Sequence, residues 1–528
     1  MNHQTNRLAK TRLRSLREAV GQRPYWLLFG CLLLAAALRL WGLNYGLPYT
    51  YHPDEAVAVV TAQNMVKTGD LNPHFYDWSS LLFYLNALLY GAYYLVGHLF
   101  GLFQTTADIP APVVLVMGVG WMPMASMWLL SRLLTLLFGL GSVLLTFASG
   151  RTLLQKTAVG LLAAFFLAIS PTNVAHSRYI APDTLALFFV MLTFYGSTKV
   201  YRDGRARFYL LTGVALGLAV ASKYNSGLIV LAFVAAHFLR HGRHGFKRRW
   251  LYLTPIAALA AFLAAMPYAL LDSPAFLEGL QRNSAHYATG HAGMEGETLR
   301  FYVSYLWRVE GLVFVVAVGE IARGVYGRSR ETMLLAVFPV AYFIFISSFA
   351  VRNDRTLMPV LPFLFLLAAN GLVWAWSKVR TNSGRPTVAF TAVMAGLGLL
   401  LVFVPLQGAV QGAINLTRTT SRETARVWIA ENLPAGAQVA LEPYAPFVDP
   451  QQFSATGVDY LYLHTAEWYA ENGFEYLVFA QGSYGRFFRA PDRYVTEIAA
   501  YDQLWNQLEP VQTFLDGGYE VKIYAVPK

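Results

Sequence analysis

The stretch from Tyr25 to Glu55, YWLLFGCLLLAAALRLWGLNYGLPYTYHPDE, decides the fold. Its first part, 25–43, is an apolar run interrupted only by Arg39 near its end, and a helix that crosses a bilayer needs about 20 such residues. The preceding segment, 1–24, is polar and basic, with Arg7, Lys10, Arg12, Arg14, Arg17 and Arg23. The run lacks a small-residue cleavage site, so it reads as an uncleaved signal anchor behind a cytoplasmic basic tail. About ten residues further on come Tyr51-His52-Pro53-Asp54-Glu55, an acidic pair opening a helix close to the membrane surface.

The rest of the chain repeats the first feature. Of 528 residues, 56% are hydrophobic and 13% charged, whereas soluble proteins carry about 25% charged residues. A chain this apolar needs lipid as part of its solvent. Ten further apolar runs, at 129–150, 158–174, 183–201, 208–222, 225–239, 251–270, 302–322, 332–350, 357–376 and 387–409, bring the expected spans to eleven. Lysine and arginine set their direction. With the N-terminus cytoplasmic, the inner segments hold 22 Lys and Arg and the outer loops seven: Lys67, Arg178, Lys223, Arg282, Arg300, Arg352 and Arg355. The net charge of +11 is therefore a topology signal, and a nucleic-acid partner is set aside. Two stretches in the first outer loop, 81–103 and 111–128, are apolar enough to span, but Asn86, His98, Asp108 and several Gly and Pro break them, and both are expected as interfacial helices. The only cysteine, Cys31, lies inside the first run and supports neither a disulfide nor a metal site.

Residue 410 ends the transmembrane part. Residues 411–528 contain no spanning run and are expected to form a small α/β domain outside the cytoplasm. An amphipathic helix is expected from Ser421, capped by that serine, to Leu433. Strands are expected at Gln438–Leu441, Glu475–Phe479 and Tyr519–Ala525.

Chemistry concentrates in the outer loops. Pro53 suits the first turn of a helix, and acids there complement its dipole. The same element recurs as Ser177-Arg178-Tyr179-Ile180-Ala181-Pro182-Asp183, where the acid opens a spanning helix at a depth where an ionised group is costly and often functional. Asp54 and Glu55 are adjacent, so on a helix they diverge by about 100° and have separate tasks. Arg178, Lys223, Arg352 and Arg355 sit on the outer side against the charge bias and are candidates for a phosphate clamp. Arg39, Arg132, Arg308 and Glu310 lie in or at the ends of spans and are read as helix-to-helix polar pairs. His52, His74, His286 and His291 show no close ligand spacing, so no metal site is assigned. Two carboxylates plus outer cations at lipid depth suit transfer of a sugar from a lipid phosphate. The phosphate leaves as a stable anion, so the reaction needs a base and a phosphate clamp more than a strong acid.

These elements resemble the membrane glycosyltransferases of the GT-C fold, especially the bacterial members of glycosyltransferase family 39, which are similar to protein O-mannosyltransferases and to lipid A aminoarabinose transferases. The resemblance covers about residues 26–375. It rests on Pro53-Asp54-Glu55, Lys67-Thr68-Gly69-Asp70, Arg132, Ala168-Ile169-Ser170-Pro171, His176-Ser177-Arg178 with Asp183, Ser222-Lys223-Tyr224-Asn225 and Arg355-x3-Pro359-x2-Pro362. It implies a polytopic α-helical catalytic domain over 25–410, interfacial helices in the first outer loop, and a polyprenyl-phosphate sugar donor used with inversion at the outer face of the cell membrane. It also implies that Asp54 is the acidic catalytic position, with Glu55 and Asp183 beside it; His52 and Tyr224 are expected to contact substrate. The acceptor, whether lipid, glycan or protein, stays open, as does a divalent cation. The lysine-proline pair of the aminoarabinose transferases is replaced by Tyr76-Asp77-Trp78-Ser79, which disfavours that substrate. A transporter or flippase of lipid-linked saccharides is the alternative, weakened by the lack of an internal repeat.

Overall fold

A computed structural model describes residues 24–382 and 388–527. Helices α1 (Pro24–Leu40), α2 (Pro53–Thr68), α3 (Leu81–Leu99), α4 (Ala125–Leu154), α5 (Thr157–Ile169), α6 (Pro171–His176), α7 (Pro182–Arg202), α8 (Ala206–Ser222), α9 (Val230–His241) and α10 (Arg249–Ala265) form the first half. They are followed by α11 (Tyr268–Leu271), α12 (Ser273–Thr289), α13 (Thr298–Glu310), α14 (Leu312–Tyr326), α15 (Arg330–Ser347), α16 (Leu361–Asn382) and α17 (Val388–Thr417).

Among the described residues, five helical stretches are long and apolar enough to cross a bilayer: α4, α7, α15, Asp354–Lys378 and the stretch from Gly396 onward. Helices α1, α5, α8 and α10 are apolar but shorter. The outward faces carry exposed Leu33, Leu137, Leu144, Ile344, Leu399 and Phe403, a distribution that belongs to a lipid-facing belt. The chain is thus a multi-pass membrane protein.

Several expected spans are not single helices: 158–174 divides at Ser170 into α5 and α6, 251–270 divides at Met266 and Pro267 into α10 and α11, 357–376 begins as a 3-10 turn, and two more show a cause. The run 302–322 breaks at Gly311, where α13 and α14 meet at 116°, and Gly311 takes φ 56°, a backbone that only glycine adopts without strain. The run 225–239 begins as a 3-10 turn, Tyr224–Ile229, because Asn225, Ser226 and Gly227 are poor helix formers. Elsewhere small residues bring helices together: a Cβ on Gly217 of α8 would lie 2.1 Å from the Ala258 carbonyl oxygen of α10, so only glycine permits that approach.

The loop expected first on the outer side also departs from expectation. Helices α2 and α3 form, but 111–128 is not an interfacial helix. Val113–Val116 (β2) and Val119–Trp121 (β3) make an antiparallel hairpin through Gly118, and β3 also pairs with Tyr49–Thr50 (β1). The valine-rich pattern satisfies a pleated surface better than a helix face. One side of this sheet packs on Val439, Leu441 and Phe447 of the C-terminal region.

That region is an α/β layer. Strands β4 (Gln438–Leu441), β5 (Ser454–Gly457), β6 (Tyr476–Ala480), β7 (Glu509–Phe514) and β8 (Val521–Ala525) have the order β5-β4-β6-β8-β7. Pairs β4–β5 and β4–β6 are parallel; β6–β8 and β7–β8 are antiparallel. Helix α18 (Ser421–Asn432) is capped by Thr420, whose hydroxyl accepts from the Glu423 amide at 3.3 Å. Ser421, expected as the cap, instead donates to the Tyr519 carbonyl.

Candidate active site

Pro53 and Pro182 open α2 and α7, each with an aspartate in the first turn. Proline is preorganised for that position, and the helix dipole favours an acid beside it. The two acids are brought into one neighbourhood by Arg355, from the 3-10 turn Asp354–Val360. Arg355 Nη1 pairs with Asp54 Oδ2, and Asp183 acts electrostatically on both Arg355 and Asp54. Asp183 Oδ1 accepts from Lys223 Nζ at 2.6 Å. Two carboxylates and two cations therefore alternate in the order Asp54, Arg355, Asp183, Lys223. Burial alone would raise the Asp54 carboxyl, but Arg355 and His52 outweigh it and hold it below the usual carboxylate range.

Glu55 has a different position. It is fully buried and accepts from Arg132 Nε at 2.9 Å, Arg132 Nη2 at 2.8 Å, Trp128 Nε1 at 3.1 Å and the Ile180 amide at 3.2 Å. Burial would raise its carboxyl too, and Arg132 reverses the direction. Both carboxylate oxygens are thus occupied by α4 and by the loop before α7. Glu55 fixes the start of α2 and does not line either of the cavities described below. Arg132 also donates to the Leu43 and Tyr45 carbonyls at 2.7 and 2.9 Å, tying the end of the first apolar run to the same knot.

The expected cation clamp divides. Lys223 and Arg355 reach the centre. Arg178 does not: it is 1% exposed and donates to the Leu38 carbonyl, so it braces the loop against the chain end of α1. Arg352 also turns away, lying over the Phe301 ring at 5.4 Å, while its amide donates to the Met294 carbonyl at 2.8 Å. Alternation along 352–355 separates the two arginines. His52 stacks on Tyr179 at 4.3 Å, and burial lowers its imidazole from the usual value against the pull of Asp54 and Glu55. The Tyr224 hydroxyl donates to the Tyr76 carbonyl at 2.9 Å.

Sequence reasoning missed several groups. His176 stands 3.6 Å from Asp354, which also accepts from the Tyr305 hydroxyl at 3.2 Å. His176 was visible in its motif, but its partner lies far along the chain. Arg422, Tyr444, Arg486 and Tyr519 come from the C-terminal region, and no local pattern announced them. Among the described residues, no group of three or more His, Cys, Asp or Glu is placed to hold a metal ion.

Two cavities meet at this centre. The larger, about 1350 Å³, is lined by His52, Asp54, His176, Asp354 and Arg355 on the transmembrane side and by the four C-terminal residues just named. The smaller, about 720 Å³, is lined by Asp183, Lys223, Tyr224 and Arg355, with Leu280, Phe345 and Phe349 supplying apolar walls. Trp78, His286, Tyr287 and Arg355 border both. Asp54 thus faces a broad polar chamber, and Asp183 and Lys223 face a narrower one with an apolar side. One chamber suits a polar ligand and the other an amphiphile with an anionic head.

The helical arrangement is the GT-C fold of membrane glycosyltransferases. ArnT from Cupriavidus metallidurans, solved bound to undecaprenyl phosphate, matches with a TM-score of 0.55 at 15% identity over 95% of this chain and 98% of that one. The archaeal oligosaccharyltransferase AglB from Archaeoglobus fulgidus, solved with an inhibitory peptide and a dolichol-phosphate, matches with a TM-score of 0.55 at 12% identity over 96% and 75%. Within that fold the chain resembles the protein mannosyltransferases of glycosyltransferase family 39: residues 124–268 match the family described as Dolichyl-phosphate-mannose-protein mannosyltransferase. The Dolichyl-phosphate-mannose--protein mannosyltransferase 1 of Candida albicans is 27% identical over 223 residues, which are 41% of this chain and 23% of that protein. The chain therefore spans about a quarter of that relative's length.

Proposed function

We propose that the protein transfers a sugar from a polyprenyl-phosphate donor to an acceptor at the outer face of the cell membrane, by inverting displacement. The observation that carries this reading is the alternating Asp54, Arg355, Asp183 and Lys223 set at the junction of the two cavities. The donor enters the smaller chamber, its lipid along Leu280, Phe345 and Phe349 and its phosphate at Lys223 and Arg355. The acceptor enters the larger chamber beside Asp54. As the acceptor oxygen bonds to the anomeric carbon, the bond from that carbon to the phosphate oxygen breaks, and the electron pair leaves with the polyprenyl phosphate. Asp54 takes the acceptor's proton. Attack from the chamber opposite the phosphate inverts the centre.

Arg355 couples the two events. Without phosphate it neutralises Asp54; as it turns to the phosphate it releases the carboxylate, whose basicity then rises. Asp183 keeps Lys223 and Arg355 oriented. The orientation we adopt has eleven crossings, a cytoplasmic tail over 1–24, a catalytic domain over 25–410 and an extracytoplasmic domain over 411–528. The polyprenyl phosphates in ArnT and AglB support a lipid-linked donor for this chain too.

The test is Asp54→Asn in reconstituted membranes supplied with lipid-linked sugars. Loss of a general base lowers a rate by about 100- to 10,000-fold, and transfer is expected to fall by that much while donor still binds. Undiminished transfer removes Asp54 from the chemistry.

A further inference from the structure

We propose that the acceptor is an anionic saccharide, bearing a carboxylate or phosphate, seated on an arc formed by Arg422, Tyr519, Tyr444 and Arg486. This inference rests on the transferase reading above and specifies its second substrate.

The arc is continuous. Arg422 lies 5.8 Å from the Tyr519 ring, the Tyr519 and Tyr444 rings are 6.0 Å apart, and Arg486 lies 4.9 Å from the Tyr444 ring. All four line the larger cavity. Asp54 acts electrostatically on Tyr444, so the arc lies within range of the proposed base.

Its charge is not balanced. Arg422 and Arg486 are only 8% and 7% exposed, yet their polar partners are neutral. Arg422 donates twice to the Tyr51 carbonyl, at 3.2 and 3.3 Å. Arg486 donates to the Gly482 carbonyl at 3.0 Å, to His291 Nε2 at 2.8 Å and to the Tyr444 hydroxyl. Among the described residues neither forms an ion pair with a carboxylate, whereas their neighbours do: Arg426 pairs with Glu423 and Arg355 with Asp54. A buried guanidinium without a counter-charge is costly unless a ligand supplies one. His291 cannot, because burial and Arg486 push its imidazole down to about 4 and leave it neutral.

The rings specify the rest of the ligand. Tyr519 is 40% exposed, and a ring with a cation at its edge fits the apolar face of a sugar whose carboxylate or phosphate reaches the arginine fork. Tyr444 holds φ 66°, a left-handed backbone unusual for a bulky residue and often found where a site demands it. Its amide donates to the Met117 carbonyl at 3.2 Å, which fixes the ring against the first outer loop.

Binding to the purified full-length protein in detergent tests this, with a uronic-acid oligosaccharide, glucose 6-phosphate, maltotetraose, inorganic phosphate and an acidic peptide as probes. One or both charged saccharides are expected to bind about tenfold or more tighter than maltotetraose, and which one does separates carboxylate from phosphate. Binding should weaken about tenfold in Arg422→Gln and Arg486→Gln, recover in Arg486→Lys, and persist in Asp54→Asn. Unfolding midpoints for each variant, with the lysine rescue, separate lost charge from lost fold. Equal binding of maltotetraose, tighter binding of the peptide or bare phosphate, or undiminished anion binding in both glutamine variants overturns the proposal. Anion binding without transfer from any lipid-linked sugar would remove the transferase reading alone. Transfer to neutral acceptors without anion binding would remove this site alone.

Discussion

Glu55→Gln and Asp54→Asn are the same chemical change at adjacent positions, and the structure requires them to fail in opposite ways. Glu55 receives four hydrogen bonds at 2.8–3.2 Å and is 0% exposed. Its replacement by glutamine preserves the shape, removes the charge and places an amide group against donors on every side. Arg132 then stays buried without its counter-charge, keeping one bond to the glutamine carbonyl oxygen beside the Leu43 and Tyr45 carbonyls and the Tyr45 ring at 4.1 Å. Removing one partner of a buried ion pair costs about 3–5 kcal/mol, a large part of the about 5–15 kcal/mol by which a folded chain is ordinarily stable.

Asp54 differs because it faces a cavity and its partner Arg355 keeps Asp183 as a second acid nearby. The expected stability change for Asp54→Asn is about 1.5–3 kcal/mol, the cost of one charged hydrogen bond. Activity is expected to fall about 100-fold or more. Thermal unfolding in detergent, followed by tryptophan fluorescence because Trp128 touches Glu55, reads the first quantity; sugar transfer per folded molecule reads the second. A Glu55→Gln protein of unchanged stability, or an Asp54→Asn protein that unfolds as readily, would refute the division of labour between the two acids.

Four further outcomes follow from the geometry. Lys223→Met should raise the donor KM about tenfold or more, the equivalent of one charge-assisted hydrogen bond, and Lys223→Arg should restore most of it; an unchanged KM in proteoliposomes excludes Lys223 from phosphate binding. Because the Asp54 carboxyl is held below its usual value of 3.8, its ion pair stabilises the fold above about pH 4 and is lost as pH falls through the lowered value; the acid limb of kcat/KM should lie below pH 4 and that of kcat above it, and coincident limbs would exclude the release of Asp54 by Arg355. In the C-terminal region, burial pushes the Glu442 carboxyl up to about 8 despite hydrogen bonds from the Ala480 amide and the Tyr501 hydroxyl. The folded form therefore binds the extra proton, stability declines as pH rises from about 4.5 to 8, and Glu442→Gln should flatten that decline in hydrogen exchange of β4 and β6. Gly311→Ala places a Cβ at φ 56° and should cost about 1–3 kcal/mol, seen as a lower unfolding midpoint.

Much of the fold was legible because its signals are local. The spans over 129–150, 183–201 and 332–350 are written in composition, and lipid needs nothing subtler. One error arose where the structure depends on partners distant in sequence, and two turned on a single residue. Residues 111–128 are apolar in any setting, but they become a hairpin because Tyr49–Thr50 lies alongside β3 and the C-terminal strands cover the sheet. The bend between α13 and α14 turns on the single backbone angle at Gly311, which an apolar run of 302–322 conceals. The serine expected to cap α18 lost to Thr420 by one position, since either hydroxyl could have taken the role.

The site divides along the same line. Asp54 and Asp183 could be found because proline in a first turn and an acid beside it form a local signature, and that signature occurs twice. What the chain could not reveal is which way each neighbour points. A 100° step along α2 sends Asp54 toward a chamber and Glu55 into the helix bundle, and only the position of Arg132 decides which is which. The same ambiguity misplaced Arg178 and Arg352, which share the outer-face signal with Lys223 and Arg355 but direct their guanidiniums to Leu38 and Phe301. A cation expected on the outer face is thus a candidate for phosphate binding only when its charge faces a cavity, and by that criterion the proposed clamp contracts to the two residues that also hold the aspartates.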